Sequence, residues 1–153
     1  MELSLDGVKF ICNHEGFSEN PYLDSKGIPT IGFGSTYYLD GSHVTMDDGA
    51  ISKDTAYELL QYHIDNEVVA HIENIAPLNN LSQHQVDAIC SMAYNIGVYA
   101  FKDSSLLKAI QQSADDDTIR QKFMLWTKSG GREIQGLVNR RKAEADLYIL
   151  GTY

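Results

Sequence analysis

Apolar residues Leu5, Val8, Phe10, Ile11 and Cys12 recur at helical spacing between Leu3 and Asn13, predicting a first helix that stops at His14-Glu15-Gly16. Gly16 reads as its stop signal, because glycine tolerates the left-handed conformation that often follows a helix. Residues 17–48 change character. Pro21, Gly27, Pro29, Gly32, Gly34 and Gly41 punctuate short β-prone runs such as Thr30–Gly34 and Thr36–Leu39. Two or three short strands in a small antiparallel sheet follow from that pattern, with Asp40-Gly41 as a hairpin turn. Helical periodicity then takes over. Ser52 is placed to cap a helix whose stripe of Ala56, Leu59, Leu60, His63, Ile64, Val68, Ile72 and Ile75 ends before Pro77. Ser82 and Gln85 form a capping-box pattern, and the stripe Val86, Ile89, Cys90, Ala93, Tyr94 runs on to Gly97. Further helices are expected at about 103–113, 116–128 and 136–149. The layout is α+β in a single domain. A β-rich lobe at about 17–50 is joined by the helix at about 52–75 to a mainly helical lobe of about 1–16 and 76–153.

Composition narrows the class. The 153 residues, 43% apolar and 22% charged, are enough for one ordinary hydrophobic core. No apolar run approaches the length of a membrane span, so no membrane insertion is expected. Met1 to Phe10 carries Glu2 and Asp6 in place of a basic region and an apolar block, a poor signal peptide and a poor anchor. Cys12 and Cys90 lie on helical segments without metal-ligand spacing and read as buried free thiols of a reducing compartment. A formal charge of −9 argues against a nucleic-acid partner. That charge is uneven: residues 1–119 hold 5 Lys/Arg against 18 Asp/Glu, and residues 120–153 hold 7 against 3. The basic end either faces an anionic polymer or pairs with the acidic remainder. Asp115-Asp116-Asp117 opens a helix, where the dipole favours acids, and His14, His43, His71 and His84 lack zinc spacing, so no metal or organic cofactor is expected.

The chemistry concentrates near the N-terminus. Glu15 closes the first helix, an unfavourable end for a carboxylate. Burial beneath Phe17 and Tyr22 would raise its pKa, as a general acid requires. Asp24, followed by Ser25-Lys26-Gly27, is at least a turn former, and an exposed turn carboxylate stays ionised and can activate water. Thr30 has ordinary strand propensity besides a hydroxyl. Two carboxyl groups in different surroundings are the minimum for hydrolysing a glycosidic bond. Trp126 reads as a helical core residue beside Ile119 and Phe123, and His63 as a hydrogen-bonded core histidine.

The pattern Glu-x8-Asp-x5-Thr, within Glu-Gly-Phe … Pro-Tyr-Leu-Asp … Thr-Ile-Gly-Phe-Gly, closely resembles the catalytic segment of the bacteriophage-type lysozymes, the endolysins of glycoside hydrolase family 24. Ala93-Tyr94-Asn95-Ile96-Gly97, Phe101 to Leu107, and the C-terminal Gly-Leu-x-x-Arg-Arg-x-x-Glu run from Gly136 to Glu144 are similar to further segments of that family. The resemblance implies a lysozyme-like fold and hydrolysis of the β-1,4 bond between N-acetylmuramic acid and N-acetylglucosamine. It implies Glu15 as general acid, Asp24 as the carboxylate assisting attack, and Thr30 as the hydroxyl that positions water. It also implies cleft roles for Tyr94 and Asn95, and an Arg140 near Glu15 whose charge would oppose the effect of burial. Core packing for Tyr94, and an exposed basic helix for Arg140-Arg141-Lys142, are the alternatives. A water-holding threonine favours inversion, for which the carboxyl groups stand roughly 6.5–9.5 Å apart, over retention at about 5–5.5 Å. Partners implied are peptidoglycan strands and a holin-like membrane protein. That protein would release a monomeric enzyme from the host cytoplasm to the periplasmic wall. A transglycosylase using Glu15 alone and a non-catalytic wall-binding module are the rival readings.

Overall fold

The computed structural model describes all 153 residues. Helix α1 (Leu5–His14) starts at Ser4, whose hydroxyl accepts from the Gly7 N–H at 3.0 Å, and it buries Val8, Phe10, Ile11 and Cys12. Gly7 lets α1 lie close on its neighbour: a Cβ there would stand 2.5 Å from the Asp87 carboxyl carbon. The helix stops at the expected place, but not by the expected glycine conformation. Glu15 itself leaves the helical conformation, with φ −104° and ψ 143°, and Gly16 is not left-handed. An extended exit carries the chain directly into strand β1, so no reversing glycine is needed.

Strand β1 (Ser18–Leu23) pairs antiparallel with β2 (Pro29–Gly32), Tyr22 opposite Thr30 and Leu23 opposite Pro29. The run Thr36–Leu39, expected as a strand, makes only a single bridge from Tyr37 to His43. Loop bonds to Ser42, Val44 and side chains take the place of a longer ladder. Asp48 accepts from the Tyr38 hydroxyl at 2.7 Å and from the Thr45 N–H at 2.8 Å, which folds the segment into a loop. Asp40-Gly41 does form the expected turn, with Gly41 at φ +84° and the Tyr38 N–H donating to the Ser42 carbonyl at 2.9 Å.

The connecting rod is continuous but irregular. Ser52 caps α2 (Lys53–Ile64) as expected, a π turn spans Asp65–Val69, and α3 (Ala70–Ile72) completes it. Val68 and Val69, both in the π turn, are buried in the core. Helix α4 (Gln83–Ile96), with its Ser82/Gln85 capping box, runs through the helical lobe and packs mainly on α8 (Gln135–Leu150). Around them lie α5 (Val98–Lys102), α6 (Ser105–Gln111) and α7 (Asp116–Phe123). Helix α7 stops five residues before the expected end. Trp126 therefore lies outside a helix, and β3 (Lys128–Ser129) and β4 (Arg132–Glu133) form an unexpected hairpin across Gly130-Gly131. Leu60, Ile64, Ile72, Ile89, Phe101 and Phe123 are completely buried in one core, and Cys12 and Cys90 are buried free thiols. No helix is long and apolar enough to cross a membrane.

Candidate active site

Where α1 runs out into β1, an open cavity of about 260 Å³ is lined by Glu15, Gly16, Phe17, Ser18, Tyr22 and Gly34. Its walls come from the helix end, the first strand and the glycine after β2, the segments that the Glu15–Gly34 motif joins in sequence. Phe17 leans on the buried Phe33 with ring centroids 5.2 Å apart, and this fixes one wall. The Glu15 side chain is 27% exposed, open to the cavity on one side and tied to protein on the other. Its charge is felt by its neighbours. Burial, with Glu15 adding, pushes the Cys12 thiol up to about 12, and raises Tyr22 and Tyr94 in the same way. Tyr22 is raised by Asp24 as well, so both carboxylates act on one phenol.

Asp24 sits in the β1–β2 turn. Its Oδ1 accepts from the Lys26 and Ile28 N–H groups at 2.8 and 2.9 Å, while its backbone N–H donates to the Ile28 carbonyl. The turn-forming role is therefore real, and it uses one carboxylate oxygen only. Thr30 is 3% exposed, and its hydroxyl donates to the Ile28 carbonyl at 2.8 Å. With its proton committed there, the oxygen is left as an acceptor. Neither Asp24 nor Thr30 lines the Glu15 cavity itself. They are linked to it through Tyr22, which faces Thr30 across the two-stranded ladder.

Arg140 is not part of an exposed basic helix. Its Nη1 donates to Glu15 Oε1 at 2.7 Å, its Nε to Glu144 Oε1 at 3.0 Å, and its Nη2 to the Ser91 carbonyl at 3.3 Å. Arg141 is buried too, donating to Glu144 Oε2, Asn95 Oδ1 and the Trp126 carbonyl. Glu144, wholly buried, also accepts from the Ser91 hydroxyl at 2.6 Å. The two arginines and two glutamates balance in charge, which is how such groups tolerate burial. The Arg140 cation and burial also hold the His14 imidazole below its ordinary value, with burial the larger cause. Of the Arg140-Arg141-Lys142 triplet only Lys142 is exposed, so the triplet cannot dock an anionic polymer. Sequence reading missed Ser91, Arg141 and Glu144 as supports of Glu15. The available signal was spacing, because Glu144 stands four residues after Arg140 and three after Arg141 on one helix.

Tyr94 and Asn95 separate. Tyr94 is half-buried against the core, and its phenol oxygen lies 3.7 Å from where a Cβ on Gly34 would stand, beside the Glu15 cavity but outside its lining. Asn95 points instead toward Arg141, into a different hollow of about 320 Å³ that Trp126, Lys128 and Leu137 share. Tyr94 and Asn95 thus face different hollows, because successive helical residues point about 100° apart. Trp126 packs on the core as expected, yet one side of it faces that hollow. His63 donates its Nε2–H to the Tyr37 carbonyl at 3.0 Å, while its buried Nδ1 has no partner in the chain.

An α+β frame with an acid-bearing helix end set against a β hairpin defines a lysozyme-like glycoside hydrolase. Comparison with known proteins narrows the class. The model of the phage lysozyme family matches residues 12–144. The endolysin of Salmonella phage P22 is 34% identical over 97% of this chain and 99% of its own length. The endolysin of Bacillus phage PZA is 35% identical over 99% of this chain, which spans 57% of that protein. The solved endolysin from Escherichia coli O157:H7 phage FAHEc1 superposes with a TM-score of 0.84 at 32% identity, covering 100% of this chain and 96% of that one. The chain belongs to the phage lysozyme family and is an endolysin-type hydrolase of peptidoglycan.

Proposed function

We propose that this enzyme hydrolyses the β-1,4 bond between N-acetylmuramic acid and N-acetylglucosamine with inversion, using Glu15, Asp24 and Thr30. The observation that carries the reading is Glu15 itself, open to a cavity on one side and held by Arg140 at 2.7 Å on the other. Glu15 gives its proton to the glycosidic oxygen as the bond from that oxygen to the anomeric carbon breaks. A water attacks that carbon from the opposite face and passes a proton to Asp24, so one carboxyl group ends ionised and the other protonated. Arg140 stabilises the carboxylate left on Glu15. Thr30, whose hydroxyl proton is held by the Ile28 carbonyl, accepts a hydrogen bond from the attacking water. The chain works as one lysozyme-like domain and as a monomer. It collects in the host cytoplasm and reaches the periplasmic wall through a lesion made by a holin-like membrane protein. Membership in a family whose relatives are endolysins supports that route.

Clearing of permeabilised Gram-negative walls by wild type and Glu15→Gln is the test. General acid catalysis predicts a loss of at least about 100-fold with the circular dichroism spectrum preserved. A variant that clears like the wild type would overturn the catalytic reading in favour of a binding module. Product stereochemistry tests the finer point: proton NMR should detect the α-anomer of the new reducing end first. The β-anomer first means retention, and 1,6-anhydro ends mean transglycosylation.

A further inference from the structure

A third hollow, of about 310 Å³, opens between the π turn and the start of α5, with Glu67, His71, Tyr94, Val98 and Tyr99 in its lining. Tyr99 is 72% exposed, the largest exposure among the big apolar side chains. Its ring is nevertheless held from two sides, by the edge of His71 at 6.4 Å between centroids and by the Lys102 ammonium at 5.6 Å. Those two contacts leave most of the aromatic ring open to solvent, an exposed apolar area. Beside it, Glu67 Oε1 accepts from the Tyr37 hydroxyl, a bond that ties the β-lobe loop to the connecting rod. The second Glu67 oxygen makes no hydrogen bond within the chain and remains an acceptor. A flat apolar plate with a pinned carboxylate alongside matches a pyranose, which offers C–H groups on its face and hydroxyl or amide donors at its edge.

Position supplies the second argument. Tyr94 belongs to the wall of this hollow, and its phenol oxygen approaches Gly34, which lines the Glu15 cavity. The two hollows are therefore neighbours across one Tyr94–Gly34 contact. A linear polymer seated at Glu15 and continuing past Gly34 would meet Tyr94, the shared wall of the hollow that holds Tyr99. We propose that the Tyr99–Glu67–His71 hollow is a saccharide subsite that holds amino sugars of the glycan strand at a distance from the bond being cut. The proposal rests on the assignment of glycan cleavage to the Glu15 cavity and adds to it a preference for long strands.

Amidase-treated glycan strands, long ones compared with tetrasaccharides, test it. The expected result for Tyr99→Ala is that the KM advantage of long over short strands shrinks about tenfold, while Tyr99→Phe, which keeps the ring, restores it. In Glu15→Gln, titration with chitohexaose should move the NMR resonances of Tyr99 and His71. An unchanged length ratio in Tyr99→Ala, or no movement of those resonances, overturns the subsite. Wild-type cleavage by Glu15→Gln would instead overturn the catalytic assignment and leave the NMR titration to report on the Tyr99 face alone.

Discussion

At Asp24 one carboxylate oxygen closes the β1–β2 turn through the Lys26 and Ile28 N–H groups, while the other makes no hydrogen bond within the chain. The division permits a clean substitution. Asn at this position keeps the oxygen that shapes the turn and removes the charge proposed to take a proton from water. Asp24→Asn is therefore expected to lower wall hydrolysis by about 100-fold or more with an unchanged urea midpoint, whereas Asp24→Ala should lower both. Equal loss of stability in the two variants would mean that the charge serves the fold. The sequence made the candidate residues legible because the Glu15, Asp24 and Thr30 chemistry lies in one short, glycine-punctuated segment. It did not reveal how Thr30 is oriented, since the acceptor of its proton, the Ile28 carbonyl, is a backbone group with no sequence signature.

Among the elements, α8 shows why hydropathy fails where polar groups are buried. Val138, Ala145, Leu147 and Tyr148 face the core, but so do Arg140, Arg141 and Glu144, and an apolar-stripe reading sees a solvated helix there. The other helices with apolar stripes, α1, α2 and α4, were read to within a few residues. The differences fall at ends and irregularities: the exit of α1 at Glu15, the π turn after α2, and, beyond these three, the hairpin that displaces the end of the 116–128 helix. Such features depend on partners distant in the chain. The buried cluster carries a stability prediction. Glu144→Ala would leave Arg140 and Arg141 without their shared carboxylate in a site closed to water, so urea unfolding should show a loss of about 3–5 kcal/mol. A loss under about 1 kcal/mol would mean that water or a shifted side chain replaces Glu144.

For the whole molecule, the fold changes what the charge distribution can do. The basic excess of residues 120–153 shrinks at the surface, because Arg140 and Arg141 are buried and Arg120 pairs with Asp146 at 2.8 Å. Lys128, Arg132 and Lys142 remain exposed on a protein of formal charge −9, facing a wall whose peptides carry carboxylates. Repulsion then dominates at long range, and salt should relieve it. The Debye length falls from about 30 Å at 10 mM to about 8 Å at 150 mM, so clearing of purified walls is expected to quicken, by about two- to fivefold, over that range. A clearing rate that falls with salt would show that a local cationic contact outweighs the net charge. The β3–β4 hairpin would then be the place to look, since Lys128 there borders the hollow beside Asn95 and Trp126. Lys128→Glu with Arg132→Glu separates the two cases. Under net repulsion the double variant steepens the rise with salt, and under local docking it abolishes the fall.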